Sequence, residues 1–198
     1  GFAERQLKGV VGGYNMLARN RIAYLADEVG LGKTYVALGI MGLVRYLNPK
    51  ASIVVLTPRE NIQHKWVKEL RNFTRFNWKY EDNRVKNLQG NPVHHPVTCG
   101  RIDELIRSLG DTDYRDLYLR TTTFSQSVKD VDARKRMRKR ILPYIPWIDP
   151  KLLRPRLSET EFRDNYGRVL NTLMPEIDLL VVDEAHNFKH GFSQRSSN

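Results

Sequence analysis

A single cysteine, Cys99, stands among 198 residues, so no internal disulfide can close. Long apolar runs are also missing. No stretch approaches the roughly 20 residues that span a bilayer, and the first residues lack the basic start, apolar stretch and cleavage site of a signal peptide. These absences predict a chain that works inside the cell, away from membranes. Metal-ligand pairs are scarce too: His94, His95 and Cys99 lie close together, but one sulfur without a second clustered pair reads as a loop rather than a zinc site. Acidic residues are in deficit, 22 against 33 Lys and Arg, for a net charge of +11. Such a surface attracts a polyanion through a long-range, salt-sensitive field. Nucleic acid is the obvious partner, although charge alone does not separate DNA from RNA, an acidic protein or a membrane surface.

What is present suits one soluble globular domain, with 40% hydrophobic and 10% aromatic residues. Leu7, Val10, Val11, Tyr14, Leu17 and Ala18 recur at helical spacing, predicting an amphipathic helix interrupted by Gly12 and Gly13. Ile22 to Ala26 reads as a short strand, Lys33 to Leu47 as a helix that stops before Asn48-Pro49, and Ile53 to Leu56 as a buried strand. A helix is expected from Glu60 to Phe73, then a polar loop or insertion over 74–96. Thr98 to Leu109 resumes a strand end and a helix, Leu117 to Phe124 is β-branched and aromatic enough for a strand, and Leu179 to Val182 is the last apolar strand. Residues 129–175, charged and then punctuated by Pro143, Pro146, Pro150 and Pro155, read as a second variable insertion, partly helical and basic. Alternating strands and helices with buried strands predict an α/β fold, a mainly parallel sheet with helices on both faces.

Two stretches carry chemistry. The first is DEVGLGKT, Asp27, Glu28, Val29, Gly30, Leu31, Gly32, Lys33 and Thr34, between a strand and a helix. Gly30 and Gly32 permit a close backbone approach, so that N–H groups can turn toward phosphate oxygens. The following helix N-terminus adds partial positive charge. Lys33 can reach the β and γ phosphates of ATP, and the Thr34 hydroxyl can ligate Mg2+. The second stretch is LLVVDEAH, Leu179 to His186. An apolar strand ending in Asp183 puts a carboxylate at the sheet's carboxyl edge, where it can hold Mg2+ through water. Glu184 can orient and deprotonate the attacking water. A glycine-rich turn or an acidic turn alone is common; both together, in this order and each after a strand, point to an ATPase.

With these motifs the chain resembles the first RecA-like lobe of a superfamily-two helicase of the Swi/Snf type, whose phosphate loop reads DExGxGKT with aspartate where the generic pattern has glycine. The resemblance covers most of the chain apart from 74–96 and 129–175. It implies that Gln6, in QLKGV, reads the adenine, although a lone helical glutamine is otherwise simply solvated. IVVLTPRENIQHKWVKEL matches motif Ia, with Pro58, Trp66 and Glu69 in the family's sense. Thr121 to Ser125 matches motif Ib, and DEAHNFK matches motif II, where His186 would couple nucleotide state to the nucleic-acid face. In that family the track is usually double-stranded DNA, gripped by the phosphates of one strand. Thr57, Arg59, Gln63, Thr122 and Thr123 are the expected contacts, since they offer donors at strand-to-helix turns. Each could equally be a turn former or cap.

The resemblance thus implies a P-loop ATPase lobe that uses ATP and Mg2+ and moves along or remodels double-stranded DNA. A strand-separating DNA or RNA helicase is the nearer alternative, and a catalytically silent DNA-binding scaffold the distant one. Residues 1–198 are expected to form one ATP-binding lobe that stops after motif II. A second RecA-like lobe would supply the missing arginines, so the fragment alone is expected to hydrolyse ATP slowly. Other subunits of a DNA-processing or defence complex are further expected partners. The expected location is the cytoplasm of a bacterium, or the nucleus if the source is eukaryotic, with the bacterial placement preferred on the likeness of DEVGLGKT. The run DARKRMRKR, Asp132 to Arg140, reads as a solvated helix or as a basic clamp or tract.

Overall fold

A computed structural model describes residues 1–25, 32–48, 50–76, 97–109, 116–124 and 128–185. Among them are six α-helices and four strands: α1 (Phe2–Asn20), α2 (Lys33–Leu47), β1 (Ile53–Thr57), α3 (Glu60–Phe76), β2 (Val97–Cys99), α4 (Ile102–Leu109), β3 (Leu117–Arg120), α5 (Val131–Ile141), α6 (Glu159–Leu173) and β4 (Leu179–Val182). The strands form one sheet in the order β2-β3-β1-β4, and every pairing is parallel, with Val55 opposite both Tyr118 and Val181.

An all-parallel sheet is stable only when both faces are covered, and alternation along each strand divides the core accordingly. Ile53, Val55, Tyr118 and Leu179 pack with Val36, Leu38, Ile40 and Met41 of α2 and with Trp66 and Leu70 of α3. Val54, Cys99, Leu117 and Leu119 pack on the other face with Ile102 and Leu105 of α4, Met137 and Ile141 of α5, and Phe162, Tyr166 and Val169 of α6. Burying each of the larger side chains contributes about 1.5–3 kcal/mol. At the amino edge, buried Arg45 from the end of α2 bonds the Ala51 carbonyl and pairs with Asp116, which precedes β3.

Several expectations are revised. Gly12 and Gly13 do not interrupt α1, which is continuous. Gly13 is instead a contact residue: a Cβ there would stand 2.6 Å from Ile40 Cδ1, and one on Gly39 would overlap Val10, so these glycines let α1 and α2 approach closely. Residues 22–25 are in no strand, with Ile22 and Tyr24 largely exposed, while Ala26 lies outside the described residues. A short apolar run needs a ladder partner to become a strand. The strand expected over Leu117 to Phe124 ends at Arg120, because Thr123 Oγ1 accepts the Arg120 N–H and Thr121–Thr123 tighten into a 3-10 turn.

The segment read as a variable insertion builds one face of the core. α6 follows local signals: Ser158 and Glu161 form a capping box, and Phe162, Tyr166, Val169, Leu170 and Leu173 follow at helical spacing. In α5, Met137 and Ile141 form an apolar stripe that is buried, joined by Ala133 and Arg134.

Candidate functional site at the carboxyl edge

In a parallel sheet every strand delivers its last residue to one edge. Thr57, Cys99, Arg120 and Val182 end β1, β2, β3 and β4 there. Asp183 follows directly, and its N–H donates to the Leu56 carbonyl at 2.9 Å, so β4 carries the carboxylate one step past the ladder while remaining tied to β1. The indole Nε1–H of Trp66 donates to Asp183 Oδ2 at 2.7 Å. Trp66 is buried, and α3 brings it because Trp66 and Leu70, one turn apart, face the same cluster as Val55. Glu184 is next, exposed and in the left-handed region at φ 54°. A non-glycine residue held there costs about 1–3 kcal/mol, and such strain clusters at functional sites.

α2 begins at the same edge. Its last residue, Leu47, leads within a few residues to the amino end of β1, and its buried side lies on the face that Ile53, Val55 and Leu179 share. The helix therefore runs antiparallel to β1 for about 22 Å, which carries its first turn toward the carboxyl edge. Gly32 caps α2 with φ 78°, a left-handed conformation that glycine adopts freely. Lys33 and Thr34 are half-buried in the first turn. Gln6 is half-buried on α1, the helix that packs on α2. Asp27, Glu28, Val29, Gly30, Leu31 and His186 lie outside the described residues.

The five residues expected to touch nucleic acid separate into two groups. Thr57, Gln63 and Thr123 are buried. Thr57 Oγ1 donates to the Leu119 carbonyl at 3.1 Å, Gln63 Nε2 donates to the Tyr118 carbonyl at 2.6 Å and to the Cys99 carbonyl at 3.3 Å, and Thr123 Oγ1 donates to the Cys99 carbonyl at 2.9 Å. Their polar atoms satisfy backbone groups where the ladder ends, so they face the interior of the described structure. Arg59 and Thr122 are exposed at the same edge and retain that capacity.

Sequence reasoning missed a further cluster. Arg120 Nη1 donates to Glu60 Oε2 at 2.6 Å, which links the end of β3 to the start of α3. A Cβ on Gly100 would overlap the Arg120 guanidinium, so the glycine after β2 makes room for it. No spacing rule announces a pair sixty residues apart.

The residues fit Mg-ATP by the character of their donors. Magnesium bound with phosphates takes one or two carboxylates rather than a dedicated protein cage. Among the described residues no group of three or more His, Cys, Asp or Glu could hold a metal, while Thr34 and Asp183 are a hydroxyl and a carboxylate of the needed kind. Cys99 is buried, its Sγ 3.6 Å from Ser108 Oγ, and burial pushes its thiol pKa up. That is a structural cysteine, whereas His94 and His95 lie outside the described residues. No described helix is long and apolar enough to cross a membrane.

A family model described as "Type III restriction enzyme, res subunit" (ResIII) matches residues 4–196. No curated protein matches the chain, and no solved structure matches it.

Proposed function

The chain belongs to the ResIII family, whose domain is the amino-terminal lobe of superfamily-two helicases, and on that premise we propose that it is the ATP-binding half of a motor that moves along double-stranded DNA. The fold is the α/β, RecA-like architecture of such a lobe, and the family implies a helicase-like ATPase. The finer reading is that Mg-ATP hydrolysis drives translocation or remodelling rather than strand separation, in the manner of Swi/Snf-type enzymes.

One observation carries this reading: Asp183 stands past the end of β4, tied to β1 through Leu56 and to α3 through Trp66, at the edge toward which α2 starts. In the proposal Lys33 and the first-turn amides of α2 hold the β and γ phosphates. Thr34 and Asp183 would hold magnesium, which offsets phosphate charge when bound. Glu184 orients the attacking water and takes its proton. Gln6 would meet the adenine, His186 would couple nucleotide state to the DNA side, and a second RecA-like lobe would supply the arginines that complete the site. Arg59 and Thr122 would meet DNA phosphates. Partner subunits of a DNA-processing or defence complex are part of the same proposal.

The test is binding of a fluorescent ATP analogue to this chain. Lys33→Ala should lose at least about tenfold in affinity, as removal of a charge-assisted phosphate contact implies, while Glu184→Gln should bind ATP normally. In the full-length protein Glu184→Gln should abolish turnover while retaining ATP. Affinity unchanged by Lys33→Ala would overturn the site. With full-length protein, displacement of a third strand from a triplex without unwinding of a plain duplex is the outcome expected of a translocase; efficient unwinding would replace that reading by the helicase one.

A further inference from the structure

The basic run of α5 is not absorbed by the carboxyl-edge site. α5 packs on the face opposite α2 and α3, and its outer side borders an open cleft of about 500 Å³ lined by Lys135, Arg138, Lys139, Leu142, Pro143 and Pro155. We propose that this cleft is a second nucleic-acid contact, a seat for the phosphodiester backbone on a different layer of the lobe from the ATP site.

The cleft is a built feature. Arg134, on the inner side of α5, is buried. Its Nε donates to the Pro155 carbonyl at 2.8 Å and its Nη1 to the Val128 carbonyl at 2.6 Å. That arginine spends its donors on the backbone and holds the Pro155 wall against the helix.

The other cations have little to do structurally. Lys135, Arg138 and Lys139 are related by i, i+3 and i+4, so they share one helix face, where like charges repel. Lys135 has one exposed acidic neighbour, Asp132, at 3.0 Å. Arg138 Nε is buried and has no hydrogen-bond partner among the described residues. Among the described residues no carboxylate lines the cleft, and exposed Arg154 and Arg156 are the sequence neighbours of Pro155. Cations in a last turn do favour the helix dipole, but that effect does not require Lys135, Arg154 or Arg156.

A polyanion would relieve the repulsion. Three cations along the α5 wall of an open cleft match a continuous chain of phosphates better than one isolated phosphate, because counterion release rewards several contacts at once. The choice of partner rests on the nucleic-acid reading above, whereas the cleft does not depend on the ATP site.

The experiment is anisotropy of a labelled short duplex with this chain over a salt series. The variant K135Q/R138Q/K139Q should lower the slope of log affinity against log salt by about 2–3 and weaken binding about tenfold near 0.1 M salt. A control triple, K8Q/R19Q/R168Q, removes equal charge from exposed positions elsewhere and should change the slope by less than about one. Lys139→Gln alone, at an exposed position, should lower it by about one and serves if the triple variant melts early by circular dichroism. Equal losses in both triples, or none in either, would overturn the proposal. Displacement of the duplex by inorganic phosphate, but not by chloride at the same ionic strength, would reassign the cleft to a small anion. Lys33→Ala should leave the slope intact. If Lys33→Ala also leaves ATP affinity unchanged, the motor reading fails while this one stands.

Discussion

The indole of Trp66 and the carboxylate of Asp183, 117 positions apart in sequence, are joined by a 2.7 Å hydrogen bond across the end of the sheet. One Asp183 oxygen is thereby fixed in orientation, and the other is left to meet a water or ion. In the proposed site Trp66 would be a positioning residue that acts through Asp183.

Trp66→Phe should raise the magnesium concentration needed for half-maximal nucleotide binding by roughly fivefold, the equivalent of about 1 kcal/mol for a lost hydrogen bond. Nucleotide binding without magnesium should be unchanged. A magnesium titration of ATP-analogue binding separates this from a packing defect, which would weaken binding with and without the metal alike.

Arg59 and Gln63 should separate in the same way. Arg59→Ala should lower the salt slope of duplex binding by about one, the signature of a lost phosphate contact. Gln63→Ala removes the side-chain donor of the Tyr118 carbonyl and leaves the Cys99 carbonyl with Thr123 Oγ1 as its side-chain donor, and should cost about 1–3 kcal/mol of stability with the slope unchanged. Paired salt titrations and urea melts would measure both, and a reduced slope in Gln63→Ala would return that residue to the DNA face.

The adjacent glycines of α1 should respond in opposite directions. Nothing lies within 4 Å of a Cβ on Gly12, so Gly12→Ala should stabilise by about 0.5–1 kcal/mol. Gly13→Val pushes into Ile40 and should destabilise by about 1–3 kcal/mol. Urea midpoints would show it; equal responses would mean that α1 does not pack on α2 as described.

Asp103 gives the fold an acid-sensitive element. The residue is buried, which raises its pKa, but hydrogen bonds from Arg101, at 2.7 Å, and from Arg140 outweigh burial and hold the carboxyl below its ordinary value. A carboxyl lowered in the folded state adds stability above its unfolded pKa, near 4, and that stability disappears as pH falls through the lowered folded value. Asp103→Asn should lose about 1–3 kcal/mol at neutral pH and much less near pH 2. Parallel pH responses of the two proteins in urea melts would refute this.

Much of the fold was legible locally, and so was the proposal for the site. Gly32, Lys33 and Thr34 open a helix, and an apolar strand delivers Asp183 and Glu184, because hydrophobic runs, glycine and strand-ending carboxylates act over a few residues. Ser158 and Glu161 announce α6 in the same local terms, in keeping with the partly helical character expected of 129–175. The strand expected at Ile22 to Ala26 shows the limit of such patterns, since strand formation depends on a partner that no local run supplies.

The amino-acid order by itself determined the class of the protein: an α/β lobe of the superfamily-two helicase kind follows from residue type and near-neighbour spacing. Only the tertiary structure decided which polar side chains are spent inside. Thr57, Gln63 and Thr123 close the end of the sheet, and Arg134 braces a cleft whose other cations remain at the surface. The physical reason is that a buried donor must find its acceptor, and that acceptor belongs to a residue brought near by packing, at a sequence distance no periodicity encodes.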